Sequence, residues 1–218
     1  MKKTFCLLMI LAVILLCSGF NYLDSDGYSF DLSDLYNYHK EFESEEIGVC
    51  SMSNVKTYMD YRMTTLRSSA QYKFLNYECT VDEKTGLLYD EDGFIAVALG
   101  SYYGVIGDRF YFTLDSGIVL PLVKGEEKAD EDTDSTGCYH TIDGSVIEFV
   151  IDSDIAGEYF YTNENGYVLN GNFNNYSLFR GSIVKVEKVL DTKLDSRVTY
   201  SNDVRPDKTD FFNYASGY

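Results

Sequence analysis

Residues 125–140, GEEKADEDTDSTGCYH, carry six carboxylates within nine positions and end on a cysteine, a tyrosine and one of the two histidines of the chain. Neighbouring carboxylates raise the pKa of one another, which suits a group that must donate a proton near neutral pH. Glu126, Asp130 and Asp134 follow one predicted strand. Glu148 lies on the next strand, so we expect two of these four acids to meet across a groove as general acid and base.

Paired acids of this kind are typical of enzymes that cut glycosidic bonds. Hydrolases use two carboxylates, whereas a lytic transglycosylase can work with one acid/base because the sugar's own hydroxyl is the nucleophile. The alternative interpretation of the acidic stretch is a solvent-facing loop, in which like charges repel and keep the chain extended. Both interpretations remain open from the sequence.

The acids also show the start of a calcium-binding pattern. Asp130, Asp132 and Asp134 alternate as do the first three ligands of an EF-hand loop. An EF-hand then requires glycine at its sixth position and glutamate at its twelfth, where this chain has Ser135 and Thr141. A calcium site of another type therefore stays an alternative, and the sequence predicts no other metal or cofactor.

Two tyrosines and an arginine are candidates for substrate binding. Tyr102 and Tyr103 stand at a predicted strand end, where their rings could stack on sugars, and packing in the core is the alternative. Arg109 could orient the carboxylate of a peptide stem, or it could pair with Asp108 or Asp115.

The cysteines allow a disulfide but not a disulfide framework. Cys50, Cys79 and Cys138 lie beyond the predicted signal, which permits one bridge with one leftover thiol, or three free thiols. Cys138 and His140 lie two positions apart and point the same way on a strand. No third group that would orient them for nucleophilic catalysis is identifiable in the sequence.

Residues 1–19 have the composition of an export signal. Two lysines precede an apolar run over residues 5–16, and three small residues (17–19) stand before an abruptly polar sequence. The apolar run is shorter than the roughly 20 residues of a membrane-spanning helix. We therefore predict a protein that is secreted or associated with the cell envelope, without stable membrane insertion after the signal is cleaved.

The remaining chain is strongly acidic. Removal of residues 1–19 takes away two lysines and leaves 16 basic against 35 acidic residues, a net charge of −19. This charge makes nucleic acid an unexpected partner and disfavours anionic membranes. A polyol, a sugar polymer or a cation is compatible with it.

Helical periodicity precedes the strands. Residues 20–50 are acidic without sustained periodicity and predict a linker or arm with little buried. Over residues 51–80, apolar residues recur at steps of three and four, which predicts a helical segment that a Thr/Ser cluster at 64–69 could divide. The periodic residues are Val55, Met59, Met63, Leu66, Ala70 and Phe74.

Residues 81–190 are typical of a β domain, and residues 191–218 of a polar tail. RFYFTLDSGIVLPLV (109–123) predicts a hairpin, in which Pro121 belongs at an edge or bulge because it cannot donate to a ladder. Short strands with Gly-rich turns and little helix favour a small closed barrel. The other predicted strands are FIAVAL (94–99), SVIEFVID (145–152) and SIVKVEKVL (182–190).

Four segments resemble the secreted double-psi β-barrel proteins of Firmicutes, which are related to 3D domains and to rare-lipoprotein-A-like barrels. The segments are AVALGSYYGVIGDRFYFTLDSG, KADEDTDSTG, GSVIEFVID and FRGSIVKVEKV, within residues 90–190. The resemblance implies a six-stranded barrel with a shallow groove lined by acids, associated with cleavage or remodelling of peptidoglycan. The chain departs from the 3D pattern at Gly100-Ser101-Tyr102, where those domains usually show Asp-Pro.

These observations together predict an α+β protein, with an N-terminal helical segment and a six-stranded double-psi-like β-barrel. Its expected partner is peptidoglycan or another cell-wall glycan, and the expected reaction is glycan-strand cleavage of the lytic-transglycosylase type. The alternative is a non-catalytic glycan-binding or surface interaction module, with or without bound calcium.

Overall fold

The computed structural model describes residues 31–50, 53–161 and 172–190. The predicted signal (1–19) and polar tail (191–218) lie outside these residues. No helix of the described part is long and apolar enough to cross a membrane. Helices and strands occur together, so the expected mixture of α and β elements is confirmed.

Nine strands and a few short helices make up the described chain. The strands are β1 (Ser44–Ile47), β2 (Thr57–Asp60), β3 (Thr80–Val81), β4 (Leu88–Tyr89), β5 (Ile95–Leu99), β6 (Arg109–Leu114), β7 (Val119–Glu127), β8 (Glu148–Ile151) and β9 (Ile183–Val189). The helices are α1 (Ala70–Lys73), which continues as a π turn over Phe74–Glu78, and α2 (Ser153–Tyr161). Short 3-10 segments occupy Leu32–Asn37, Tyr61–Met63, Ser101–Tyr103, Phe173–Asn175 and Ser177–Phe179.

The sheet is open and of mixed direction. Its main path runs β1-β9-β6-β7-β5-β4-β3, and β8 pairs with both β5 and β2. The pairs β5–β7 and β2–β8 are parallel, and the other pairs are antiparallel. Among the strands described, this path does not return to its first member, so a closed six-stranded barrel is not observed.

The predicted hairpin of residues 109–123 is confirmed. β6 and β7 are antiparallel, and the N–H of Gly117 donates to the Leu114 carbonyl at 2.9 Å in the turn between them. Pro121 pairs with Tyr111 of β6, whereas the ladder with β5 begins only at Leu122. Pro121, which has no backbone N–H, therefore lies outside the β5 ladder, and that ladder loses no hydrogen bond.

β5 is buried on both faces, as its continuous apolar sequence predicts. Val97 and Leu99 face the larger core, which contains aromatic residues of β6, of β8 and of the segment 173–179. Ala96 faces a second core, to which Phe74 and Leu75 of the π turn belong. The segment between β2 and β3 thus covers the second face of the sheet.

The predicted helical segment 51–80 is only partly helical. Thr57–Asp60 forms β2, a strand parallel to β8, so the helical prediction for these residues is wrong. Threonine and tyrosine favour strands, and an available partner strand decides the structure of so short a segment over its apolar periodicity. The helix begins at Ala70, after Ser69, whose Oγ accepts from the N–H of Tyr72 at 3.1 Å.

The acidic arm is packed onto the domain where it is described. Leu32 and Leu35 are 2% and 1% exposed. Farther along, β1 pairs antiparallel with β9. Most of residues 31–50 are exposed, as the expectation of little burial predicts, but two leucines on one short helical turn reach the core from this otherwise polar segment.

Candidate functional site

Glu126 and Glu148 flank one residue, Ala98, on the same face of the sheet. Ala98 pairs with Glu126 of β7 on one side and with Glu148 of β8 on the other. Residues directly opposite one another in a ladder project to the same face. The two glutamates therefore stand two strand spacings apart, roughly 9.5 Å between backbones, and only the methyl group of Ala98 projects between them.

A bulge at Gly125 brings Glu126 to this face. The register of β5 with β7 places Lys124 opposite Val97 and Glu126 opposite Ala98, so Gly125 is an extra residue in β7. Without this insertion the alternation of side chains along β7 would send Glu126 to the face of Lys124. The position of the acid therefore depends on one irregularity of the ladder.

Glu126 is half-buried beneath the segment that covers the sheet. Its carboxylate accepts hydrogen bonds from Thr64 Oγ1 at 2.8 Å and from Gln71 Nε2 at 3.4 Å. Burial raises the pKa of Glu126 to about 7 despite these two bonds, and the charge of Glu148 adds to the rise. A carboxyl group with this pKa is partly protonated at neutral pH and can donate a proton.

Glu148 has different surroundings. Burial raises its pKa as well, but the positive charge of Lys128 and the imidazole of His140 favour its ionised form. Burial thus raises the pKa of both carboxyls, and at Glu148 the neighbouring Lys128 and His140 oppose the rise. Of the four acids predicted from the sequence, the structure brings together Glu126 and Glu148.

Lys128 is a functional candidate that the sequence analysis missed. It is 6% exposed, its N–H donates to the Leu99 carbonyl at 3.1 Å, and its Nζ donates to the carbonyl and hydroxyl oxygens of Ser145, both at 3.2 Å. Alternate residues of a strand share a face, so Lys128 lies on the face of Glu126. The position of Lys128 two residues after Glu126, at a strand end, could have indicated this candidate, but the sequence analysis considered only the acids around it.

The loop before β8 contributes His140 and Asp143. The backbone N–H of His140 donates to the Ser145 carbonyl at 2.9 Å, and its Nδ1 lies 3.3 Å from Asp143 Oδ1. This Nδ1 is buried, and its geometry toward Asp143 is not that of a hydrogen bond, so the contact is electrostatic. Cys138 forms a disulfide with Cys50, with 5.9 Å between their Cα atoms, and is no thiol nucleophile for His140.

Asp134 stabilises a turn. Its carboxylate accepts from the backbone N–H groups of Thr136, Cys138 and Tyr139, and from the Thr136 hydroxyl. The hydroxyl bond, together with the backbone bonds, lowers the pKa of Asp134 to about 2. The group stays ionised at neutral pH and is therefore unsuited to the predicted role of general acid.

Asp130 and Asp132 are exposed on the loop after β7. In the part of the chain that the structure describes, no group of three or more His, Cys, Asp or Glu side chains is arranged to hold a metal ion. The calcium site stays a prediction that no coordinating cluster among these described residues supports, and Asp130 stays a candidate acid.

Tyr103 and Arg109 are buried, which removes them from the predicted substrate site. Tyr103 is 1% exposed and packs edge-on against Phe110 in the larger core. Arg109 is 3% exposed, donates from Nε to Asp90 Oδ2 at 2.6 Å and places Nη1 2.6 Å from Asp92 Oδ2. The arginine is thus neutralised by aspartates of another turn, and both side chains serve the fold.

Exposed tyrosine rings remain available for a ligand. Tyr102 is 40% exposed, and its hydroxyl donates to the Gly48 carbonyl at 3.3 Å. Tyr72 and Tyr77 lie on the segment that covers Glu126, with ring centroids 6.2 Å apart, and Tyr77 is 69% exposed. The sequence analysis missed this second pair, because helical periodicity drew attention to the apolar residues around it.

Comparison of the chain with family models, with curated proteins and with solved structures found no match. The resemblance to double-psi β-barrels therefore rests on the quoted segments. Function has to be inferred from the chemistry of the site.

Proposed function

We propose that the protein is a secreted cell-envelope protein that cleaves glycan strands of peptidoglycan, with Glu126 as the general acid. The observation that carries this proposal is the Glu126–Ala98–Glu148 register, which sets two half-buried carboxyls on one face of the sheet. A pKa of about 7 for Glu126 suits a group that gives up a proton at neutral pH.

The proposed reaction uses both glutamates. The carboxyl proton of Glu126 passes to the glycosidic oxygen while the bond between this oxygen and the sugar C1 breaks. A hydroxyl of the same sugar attacks C1, as in a lytic transglycosylase, and its proton passes to the carboxylate of Glu148. The small side chain of Ala98 leaves room between the two carboxyls for the reacting atoms.

We also propose that the strands form a double-psi-like barrel with an incomplete seam. Six strands, β2-β8-β5-β7-β6-β9, are continuous in the sheet. The outer two approach at one end, where Ser182 Oγ donates to Asn54 Oδ1 at 2.7 Å and Lys56 Nζ donates to the Gly181 carbonyl at 2.8 Å. These contacts support a seam between the start of β9 and the start of β2.

A glycan-binding module without catalysis is the second candidate. The exposed rings of Tyr77 and Tyr102 favour it, because tyrosine faces stack on sugars whether or not a bond is cut. The hydrogen bonds from Thr64 and Gln71 are also compatible with a structural role for Glu126. Both candidates have the same partner, peptidoglycan or another cell-wall glycan.

Incubation of the chain from residue 20 onward with purified peptidoglycan tests the two candidates. Mass spectrometry would look for anhydro-muropeptides and for new reducing ends. We expect Glu126→Gln to lose at least about 100-fold in rate, since a positioned general acid contributes about 10²–10⁴-fold. Asp134→Asn is the matched control and should keep most of the activity.

Two outcomes would contradict the catalytic proposal. If the unmutated protein yields no product at high enzyme load but sediments with the glycan, it is a binding module. If product survives Glu126→Gln, the activity stands but Glu126 is not its acid.

A further inference from the structure

Two side chains of the segment that covers the sheet hold the carboxyl group of Glu126, one at each oxygen. Thr64 Oγ1 donates to Oε2 at 2.8 Å, and Gln71 Nε2 donates to Oε1 at 3.4 Å. Thr64 follows the 3-10 turn after β2, where its N–H donates to the Tyr61 carbonyl at 3.2 Å. Gln71 lies on α1 and is 8% exposed. The two donors therefore reach Glu126 from different elements.

Packing fixes the position of Gln71 above β7. Gln71 and Leu75 are separated by one helical turn and so lie on the same side of the helical segment. Leu75 packs at the bulge, where its Cδ2 would lie 2.8 Å from a Cβ on Gly125. Ser69, at the start of α1, donates from Oγ to the Leu66 carbonyl at 2.8 Å. The covering segment is thus held in place by contacts other than those with Glu126.

The two donors differ in the protonation state of Glu126 that they favour. An amide N–H₂ group only donates, so Oε1 is an acceptor whether Glu126 is ionised or neutral. The proton of the neutral acid therefore belongs on Oε2, the oxygen that Thr64 contacts. A hydroxyl can accept from this proton or donate to the bare oxygen, and only the second bond is charge-assisted. Charge-assisted hydrogen bonds are about twice as strong as neutral ones.

The neighbouring charges oppose the ionisation of Glu126. Burial and the carboxylates of Glu148 and Glu127 all act in this direction, whereas the hydrogen bonds from Thr64 and Gln71 favour the ionised form. Ala98, which lies between Glu126 and Glu148 in the sheet, has no polar side-chain atom. Among these groups, the negative charge of Glu126 is therefore stabilised by the covering segment alone.

We propose that Thr64 is a positioning residue that binds the carboxylate of Glu126 more strongly than the protonated acid, and so stabilises this group as its proton leaves. The catalytic consequence rests on the proposed function, whereas the preference of Thr64 for the carboxylate does not. In the proposed reaction, the proton moves from Oε2 to the glycosidic oxygen, and the Thr64 hydroxyl keeps its own hydrogen and turns it toward Oε2. An interaction that strengthens between the ground state and the transition state raises the rate.

Carboxyl ¹³C titration of the chain from residue 20 onward, labelled at glutamate, tests this preference directly, and loss of one signal in Glu126→Gln assigns the resonance. Thr64→Val keeps the shape of the side chain and removes the hydroxyl, so the pKa of Glu126 should rise by about one unit. Thr64→Ser restores the hydroxyl and should reverse most of this rise. An unchanged or lowered pKa of Glu126 in Thr64→Val would overturn the proposal.

Thr65→Val is the matched control. Thr65 is the exposed neighbour of Thr64, so the same substitution there should leave the titration of Glu126 unchanged. An equal rise in the two valine variants would assign the effect to a change in the covering segment and refute the role of the Thr64 hydroxyl. If Thr64→Val does not fold, Thr64→Ala also removes the hydroxyl and should give the same rise. A constant pKa of Glu126 in Thr64→Ala would overturn the proposal.

Activity separates this inference from the proposed function. If the wild-type protein cleaves glycan, kcat of Thr64→Val should fall by up to about 10-fold below the pKa of Glu126 while KM stays constant, since one pKa unit corresponds to a tenfold change. The basic limb of the pH–rate profile, where Glu126 loses its proton, should move upward by the same amount as the titration.

The two measurements together distinguish the failure of either idea. A Glu126 titration that responds to Thr64→Val in a protein that cleaves nothing would support the preference of Thr64 for the carboxylate and count against the enzyme. Cleavage without a response of the Glu126 titration would support the enzyme and refute the role of Thr64.

Discussion

Lys124 and Glu126 are two positions apart on β7, yet they project to opposite faces of the sheet. Lys124 is opposite Val97 and Glu126 is opposite Ala98, because Gly125 is accommodated as a bulge between them. One inserted residue thus directs a fully buried cation to one side and an acid to the candidate site on the other.

Gly125→Ala should destabilise the fold and displace Glu126. A Cβ at this position would lie 2.8 Å from Leu75 Cδ2, so the leucine has to shift, and we expect a loss of about 1–3 kcal/mol in the free energy of unfolding. Urea unfolding measures this loss. Leu75→Ala removes the contact, so the double variant should lose less than the sum of the single losses, whereas additive losses would contradict the steric explanation.

Glu126→Gln should change how stability depends on pH. The folded pKa of Glu126 is about 7, above the ordinary value of 4.5, so the folded state binds more protons between these two values. This contribution to stability is complete below pH 4.5 and is lost as the pH rises through 7, an effect of roughly 3 kcal/mol. Between about pH 5 and pH 8 the wild-type protein should therefore lose more stability than the variant in urea unfolding.

Glu45→Gln is the control for that comparison. Glu45 is exposed on β1, so its substitution should leave the pH dependence of the wild type intact. If Glu126→Gln loses as much stability over the same interval as the wild-type protein does, the raised pKa of Glu126 is refuted.

Lys56 should make the protein more stable as the pH rises above 8. Its side chain is 2% exposed, and burial lowers the pKa of its ammonium from 10.5 to about 8. Between these values the unfolded chain binds more protons, so stability rises across this window and is lost again as the pH falls to 8. In Lys56→Met this rise should be smaller by roughly 3 kcal/mol in urea unfolding. An equal rise in stability in the wild type and in Lys56→Met would contradict the lowered pKa of Lys56.

Loss of the disulfide between Cys50 and Cys138 should destabilise the fold strongly. The bridge spans a sequence separation of 88 residues. The chain-entropy model gives about 4–5 kcal/mol for a loop of this length. Urea unfolding of the double serine variant measures the loss, and Cys79→Ser, which changes a thiol outside the bridge, should lose less. If the double serine variant and Cys79→Ser lose equal free energy of unfolding, the loss comes from packing of the sulfur atoms and not from the bridge.

Local signals predicted the hairpin, and non-local pairing decided the rest. The turn between β6 and β7 and the alternation around it lie within residues 109–123, so the sequence contains the whole motif. Thr57–Asp60 is a strand only because β8, far along the chain, pairs with it. Apolar periodicity contains no information about that partner.

In the candidate site, too, only the local features could be predicted from the sequence. Glu126 and Glu148 are among the four predicted acids, but their pairing with Ala98 is set by a parallel ladder, an antiparallel ladder and a bulge. No local sequence pattern specifies these registers. Asp134, in contrast, stands before Ser-Thr-Gly, a composition typical of a turn, and its role was accessible to turn chemistry alone.

The proposed seam between β2 and β9 is bridged by side-chain hydrogen bonds. Ser182 binds Asn54 and Lys56 binds Gly181, while no backbone ladder joins these two strands in the described chain. Breaking a few such bonds costs less than opening a ladder, so amides near the seam should exchange hydrogen with solvent sooner than those of β5. Local opening there would free the residues just before β2 while the ladder of β2 with β8 keeps the strand itself in place.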